Sequence, residues 1–198
     1  HQYKYKMGAR GNPELDLGPP NETTMREMRM MLLHQFTFIG APHIWNGDER
    51  GMWGGDDPDC RKPVIWEDID HRPQVFGLDS KQDKPIAVKP NLELLDYYRT
   101  LIALRKKRPE LVHGKLEYTL TNDNDMTLTY CRKLEGRETI IAFNLSEQMK
   151  EVRLSEGSRL KTKVLGESSL GSMVGLQQNG RTIQFELAPY SGVVLGTE

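Results

Sequence analysis

Apolar residues recur along this chain with two different periods. In the first half, "NETTMREMRMMLLHQFTF" (residues 21–38) returns Met25, Met28, Leu32 and Phe36 close to every 3.6 positions, which predicts an amphipathic helix. Asn21 or Thr23 can cap it, Glu22 and Glu27 suit its positive end, and Gly40 and Pro42 stop it. A second helix is predicted in "NLELLDYYRTLIALRKKRPEL", residues 91–111. Asn91 is its cap, Leu94, Leu95, Tyr98, Leu101, Ile102 and Arg105 trace one side, and basic residues crowd the last turn before Pro109. From residue 112 the period becomes two. "KLEYTLTN" turns at "DND" into "MTLTYCRKL", and "EGRE" turns into "TIIAFNLS". "KEVRLS", "KTKVLG" and "RTIQFELAPYSGVVLGTE" follow. Short strands divided by Gly, Asn, Asp and Ser predict an antiparallel sandwich or barrel over 112–198, distinct from residues 1–111.

Between the two helices, "GAPHIWNGDERGMWGGDDPDCRKPVIW" (residues 40–66) fits neither period. Its opening "GAPHIW" reads as a short strand running into an acidic, glycine-rich loop. Helix, strand, loop and helix in that order is the rhythm of a βα barrel or a doubly wound sheet. In a barrel, the loops that leave the strands' C-terminal ends form the active-site face.

Composition narrows the function classes. The chain has 198 residues and a formal net charge of -1, with Lys+Arg 27 against Asp+Glu 28, so no nucleic-acid partner is implied. No apolar run approaches the roughly 20 residues of a membrane span. Cys60 and Cys131 are too few and too far apart for a disulfide framework or a CxxC site. Sequons at Asn21 and Asn144 matter only in a eukaryotic secretory setting.

The loop matches few of the chemistries that short motifs signal. Its glycines fit neither GxGxxG nor GxxxxGK. A calcium loop opening at Asp57 fails, because Arg61 stands at a ligand position and Lys62 where glycine is required. Cys60 and His71 lack the partners for a zinc site, and no GxSxG elbow occurs. Sugars fit better. Trp45, Trp53 and Trp66 offer flat apolar faces, and Asp48, Glu49, Asp56, Asp57, Asp59 and Arg61 offer bidentate partners for hydroxyls. The structural alternative is Asx-turns, an Arg61 ion pair and packed indoles.

The stretch resembles the eighth barrel strand and following loop of the α-amylase superfamily, glycoside hydrolase family 13. That family shows a "G-x-P-x-x-Y-x-G-(D/E)-E" segment here, and Ile44, Trp45 and Asn46 stand in place of two tyrosines and a variable residue. "GGDDPDCRKPVIW" is similar to the neopullulanase and cyclomaltodextrinase branch, with Val64 where Met is common. "LLDYYRTLIALRKKRPEL" resembles the last barrel helix, and "TIIAFNLS" with "APYSGVVL" resembles the C-terminal β-domain.

The resemblance implies retaining hydrolysis of α-1,4-glucans or maltooligosaccharides. It also implies a (β/α)8 barrel portion over 1–111 and an all-β domain over 112–198. The family's nucleophile, acid/base and third carboxylate follow barrel strands four, five and seven, which have no counterpart here. The expectation is therefore a C-terminal fragment with no catalytic residue of its own and no activity alone. Expected substrate contacts are Trp53, Asp56, Asp57 and Arg61, with Tyr3 and Tyr5 from the end of the preceding loop. Glu49 is expected to anchor the loop, Cys60 to be a buried thiol, and His34 and His43 to be hydrogen-bonded barrel residues. No metal ligand is assigned, although some relatives carry calcium. A broken barrel is expected to rearrange or self-associate. The rival expectation is a non-catalytic carbohydrate-binding or scaffold module; the β-domain aromatics Tyr118, Tyr130, Phe143, Phe185 and Tyr190 read mainly as core.

Overall fold

A computed structural model describes residues 16–55, 61–76, 84–155, 163–169, 172–180 and 182–196. Its helices are α1 (Glu22–Thr37), α2 (Leu92–Lys107) and the single turn α3 (Glu110–His113), with a 3-10 turn at Asp48–Arg50. Among the described residues, eight strands follow α3: β1 (Lys115–Asn122), β2 (Thr127–Leu134), β3 (Arg137–Asn144), β4 (Lys150–Ser155), β5 (Lys163–Glu167), β6 (Met173–Asn179), β7 (Thr182–Leu187) and β8 (Ser191–Gly196). The chain divides into two units. One holds the described residues within His1–Asn21 and Ile44–Tyr98, the other Glu22–His43 and those within Arg99–Glu198.

The second unit contains both sheets, one ordered β1-β2-β3-β8-β5 and the other β4-β7-β6, with every pairing antiparallel. The β2–β3 turn shows how the sequence sets register. Leu134 pairs with Arg137, so only Glu135 and Gly136 turn the chain, at φ 47° and 82°. Positive φ at both positions is the type I′ geometry that matches strand twist. Between the sheets lies one core of Cys131, Ile140, Ala142, Val152, Leu154, Ile183, Phe185, Leu187, Val193 and Leu195. The other face of the larger sheet is covered by α1, whose buried residues are Met30, Leu32, Leu33, Phe36 and Thr37. Both faces of β3 are thus buried, which explains why it carries the unbroken apolar run "IIAF".

A polar fastening joins α1 to that sheet. Arg132 is 1% exposed and donates to the Thr37 carbonyl at 2.8 Å and to the Gly114 carbonyl at 3.0 Å. Arg105 donates to the Phe36 carbonyl at 2.7 Å and the Gly40 carbonyl at 2.6 Å. The Thr37 hydroxyl lies 2.7 Å from the Tyr130 hydroxyl. His34 approaches Tyr130 through Nδ1 at 3.3 Å and packs on Phe38 and Phe143, and burial lowers its pKa. Two guanidiniums therefore occupy the negative end of the α1 dipole, where its last carbonyls lack intrahelical partners.

The strand expected at "GAPHIW" does not form. Residues 41–45 carry no ladder, Ile44 and Trp45 are exposed, and no described segment runs beside them as a partner. A segment with no neighbouring strand has no ladder to join, so it stays irregular. Conversely β6 escaped the pattern reading, though Asn179–Gly180 before β7 is a hairpin signal. Asn144 is fully buried and bonded to the carbonyls of Gln148, Leu187 and Ala188, so that sequon is structural.

Arg132→Met is expected to lower the stability of the chain in urea by about 2–4 kcal/mol, because two buried carbonyls lose their donor. Arg132→Lys recovers only part of this, since an ammonium lacks the fork that reaches both.

Candidate functional site

The acidic loop begins with a tight turn in the first unit. Gly47 and Gly51 flank the 3-10 turn Asp48–Arg50 with φ of 100° and 69°. A side chain at Gly51 would also meet Asn91, since a Cβ there would lie 2.9 Å from the Asn91 Cβ. Glu49 folds back, its Oε2 accepting from the Gly47 amide at 3.0 Å, so it anchors the loop. The Arg50 carbonyl accepts from the Asn91 amide at 2.8 Å, and Asn91 Oδ1 caps α2 through the Leu94 amide at 2.9 Å.

Two cations then organise the loop's tryptophans. Arg50, 8% exposed, pairs through Nη1 with Glu67, and its guanidinium lies 4.6 Å from the Trp66 ring centre. Lys62 donates to the Trp53 carbonyl and to Gln74 Oε1, and its ammonium lies 5.0 Å from the Trp53 ring centre. Trp53 also packs on Phe76, with ring centres 6.1 Å apart. His71 Nε2 lies 2.9 Å from the Trp66 amide and 3.1 Å from its carbonyl oxygen. An open cleft of about 460 Å³ is lined by Lys62, His71, Arg72 and Gln74 above the apolar Ile65 and Phe76.

Of the residues expected to touch substrate, Trp53 is half-buried in this arrangement and Arg61 is exposed. Asp56, Asp57, Tyr3, Tyr5 and the expected thiol Cys60 lie outside the described residues. His43 is exposed, its carbonyl accepting from Gln35 at 2.9 Å. Sequence reasoning missed Arg50, Lys62 and Gln74 as organisers. The available signal was the pairing of two basic residues with two indoles in one loop. Among the described residues no group of three or more His, Cys, Asp or Glu side chains could hold a metal. None of their helices is long and apolar enough to cross a membrane. Of the β-domain aromatics, Tyr130, Phe143 and Phe185 are buried, whereas Tyr118 is exposed.

No family profile matches the chain. A cyclomaltodextrinase from Geobacillus thermopakistaniensis is 31% identical over 178 residues, which are 88% of this chain and 26% of that protein. Over most of its length the chain is similar to enzymes of the α-amylase family. Neopullulanase 2 from Thermoactinomyces vulgaris is 26% identical, over 85% of this chain and 25% of its own length. The Nostoc punctiforme debranching enzyme superposes with a TM-score of 0.62 at 25% identity, over 86% of this chain and 31% of that one. An α-amylase from H. orenii, at 21% identity and a TM-score of 0.61, shares the fold over 90% of this chain and 36% of that one. The chain spans about a quarter of the length of the curated relatives it matches.

Tyr98 gives this unit a pH signature. Burial first, then the Asp48 and Glu49 carboxylates, push its hydroxyl up to about 12 from 10.0. The folded chain thus keeps a proton that the unfolded chain releases. The associated stability is whole below pH 10 and is lost as pH rises from 10 towards about 12. Tyr98→Phe should flatten that alkaline limb in denaturation midpoints measured across this range.

Proposed function

We propose that this chain is the C-terminal portion of a retaining α-glucan hydrolase of the neopullulanase and cyclomaltodextrinase type. The observation that carries the reading is the match of 88% of this chain to 26% of a cyclomaltodextrinase. Residues 1–111 would be the closing part of the catalytic barrel and 112–198 its supporting β-domain. In that setting residues 46–66 line the rim of the cleft, with Trp53, Asp56, Asp57 and Arg61, and also Tyr3 and Tyr5, contacting glucose units.

The chemistry assigns different tasks to different parts. Retaining hydrolysis needs two carboxylates about 5–5.5 Å apart across the glycosidic bond, one as nucleophile and one as acid/base. Those groups belong to earlier barrel strands in the family pattern. The loop described here instead supplies binding: planar rings for sugar faces, and carboxylates and a guanidinium for hydroxyl pairs. Anchoring by Arg50 and Lys62 supports this reading, because a rim that holds its shape before binding lowers the entropic cost of seating a flexible oligosaccharide.

The test compares two polypeptides. The 198-residue chain alone should release no reducing sugar from starch or cyclodextrin, while a longer polypeptide that includes an upstream barrel should. Hydrolysis by the short chain, or none by the long one, overturns the reading. The short chain should also sediment as associated species, because Ile44 and Trp45 are exposed on a segment without strand partners. A strictly monomeric species at all concentrations contradicts that expectation.

A further inference from the structure

Trp66 differs from Trp53 in a way the loop sequence does not reveal. Trp53 is half-buried, with Phe76 and the Lys62 ammonium against its ring. Trp66 is 45% exposed although one face is already covered by the Arg50 guanidinium. A ligand would then meet the opposite face and the ring edge. Its backbone amide donates to His71 Nε2 at 2.9 Å, and its cationic backing is itself fixed by Glu67. His71 also lines the cleft, together with the polar Lys62, Arg72 and Gln74 and the apolar Ile65 and Phe76.

A large apolar ring is ordinarily exposed because nothing in the fold needs it buried, and it is then mobile. Here a buried, ion-paired guanidinium lies against the ring and holds its orientation without burying it. Immobilising an indole in advance removes the ordering cost that a flat ligand would otherwise meet on binding. The ligand class that matches a single open indole face beside hydroxyl-binding polar groups is a pyranose ring.

We propose that the outward face of Trp66 is a stacking platform for one glucose unit of an α-glucan, with Arg50 as its positioning residue. The proposal rests on the hydrolase reading above for the identity of the sugar. Arg50 does not touch the saccharide; it blocks one face of the ring and fixes the angle of the other.

Maltoheptaose titrated into the 198-residue chain should shift the indole N–H resonance of Trp66, assigned by its loss in Trp66→Phe. Trp66→Ala should weaken binding by about tenfold, the upper end of what one aromatic contact contributes, and Trp66→Phe by less. Arg50→Met should broaden the Trp66 resonance and reduce its response to the sugar, a readout that simple destabilisation elsewhere would not move; circular dichroism checks that each variant folds. In the longer polypeptide, Trp66→Ala should raise KM for maltoheptaose and leave kcat within about twofold, as expected for binding lost away from the reacting bond. A Trp66 resonance that stays still up to the solubility limit of maltoheptaose overturns the proposal. Unchanged affinity in Trp66→Ala, or shielding of Trp66 from acrylamide quenching in the sugar-free longer polypeptide, also overturns it. If the longer polypeptide hydrolyses starch while Trp66→Ala keeps the unsubstituted KM, the platform fails and the hydrolase reading stands. If it hydrolyses nothing, the hydrolase reading fails, and the Trp66 resonance decides the platform by itself.

Discussion

The β-rich unit depends on a guanidinium buried where a charge is hardest to accommodate. Arg132 projects from the central region of the larger sheet, and burial together with nearby Arg105 pushes its pKa down. What offsets that cost is the end of a helix. The Thr37 and Gly114 carbonyls have no intrahelical donor, and an arginine fork supplies one to each. Hydrophobic area alone would let α1 slide along the sheet, since apolar contact has little directional preference. Directed bonds to its last turn fix its register, and the rings of His34, Tyr130 and Phe143 pack around that fixed point.

The first unit reaches order by a different route. Among its described residues there is little regular structure beyond a 3-10 turn, the start of α2 and a bridge between Gln74 and Ile86. Its loop is held by long side chains that return to backbone and ring. Arg50 and Lys62 each combine a polar partner with an indole face, so each cation is compensated twice. Such an arrangement would suit the binding rim proposed above, where carboxylates must stand at the surface and cannot be buried for stability's sake.

The β-domain was legible because its signals are local. Alternation, the Glu135–Gly136 turn and the Asn122 turn, where Oδ1 accepts from Asn124 and Asp125, all act within a few residues. Strand β6 was missed where Gly175, Gln177 and Gln178 dilute the alternation, although the turn after it was readable. "GAPHIW" was misread for the opposite reason: its composition suits a strand, but a strand exists only with a neighbour, and pairing is not a local property. The candidate site followed the same rule. Trp53 and Arg61 could be named from their chemistry, whereas Arg50 meets Glu67 only after the chain has travelled 17 residues and turned back.

Cys131 carries one last consequence of the two-sheet core. Its thiol is fully buried and donates to Glu138 Oε1 at 2.9 Å, and both burial and that carboxylate push its pKa well above the ordinary thiol range. Only a thiolate reacts at a useful rate. While the sheets stay closed, this sulfur is therefore chemically silent towards alkylating reagents and oxidants. Its modification would time the opening of the sandwich, giving the module a built-in clock for its own unfolding.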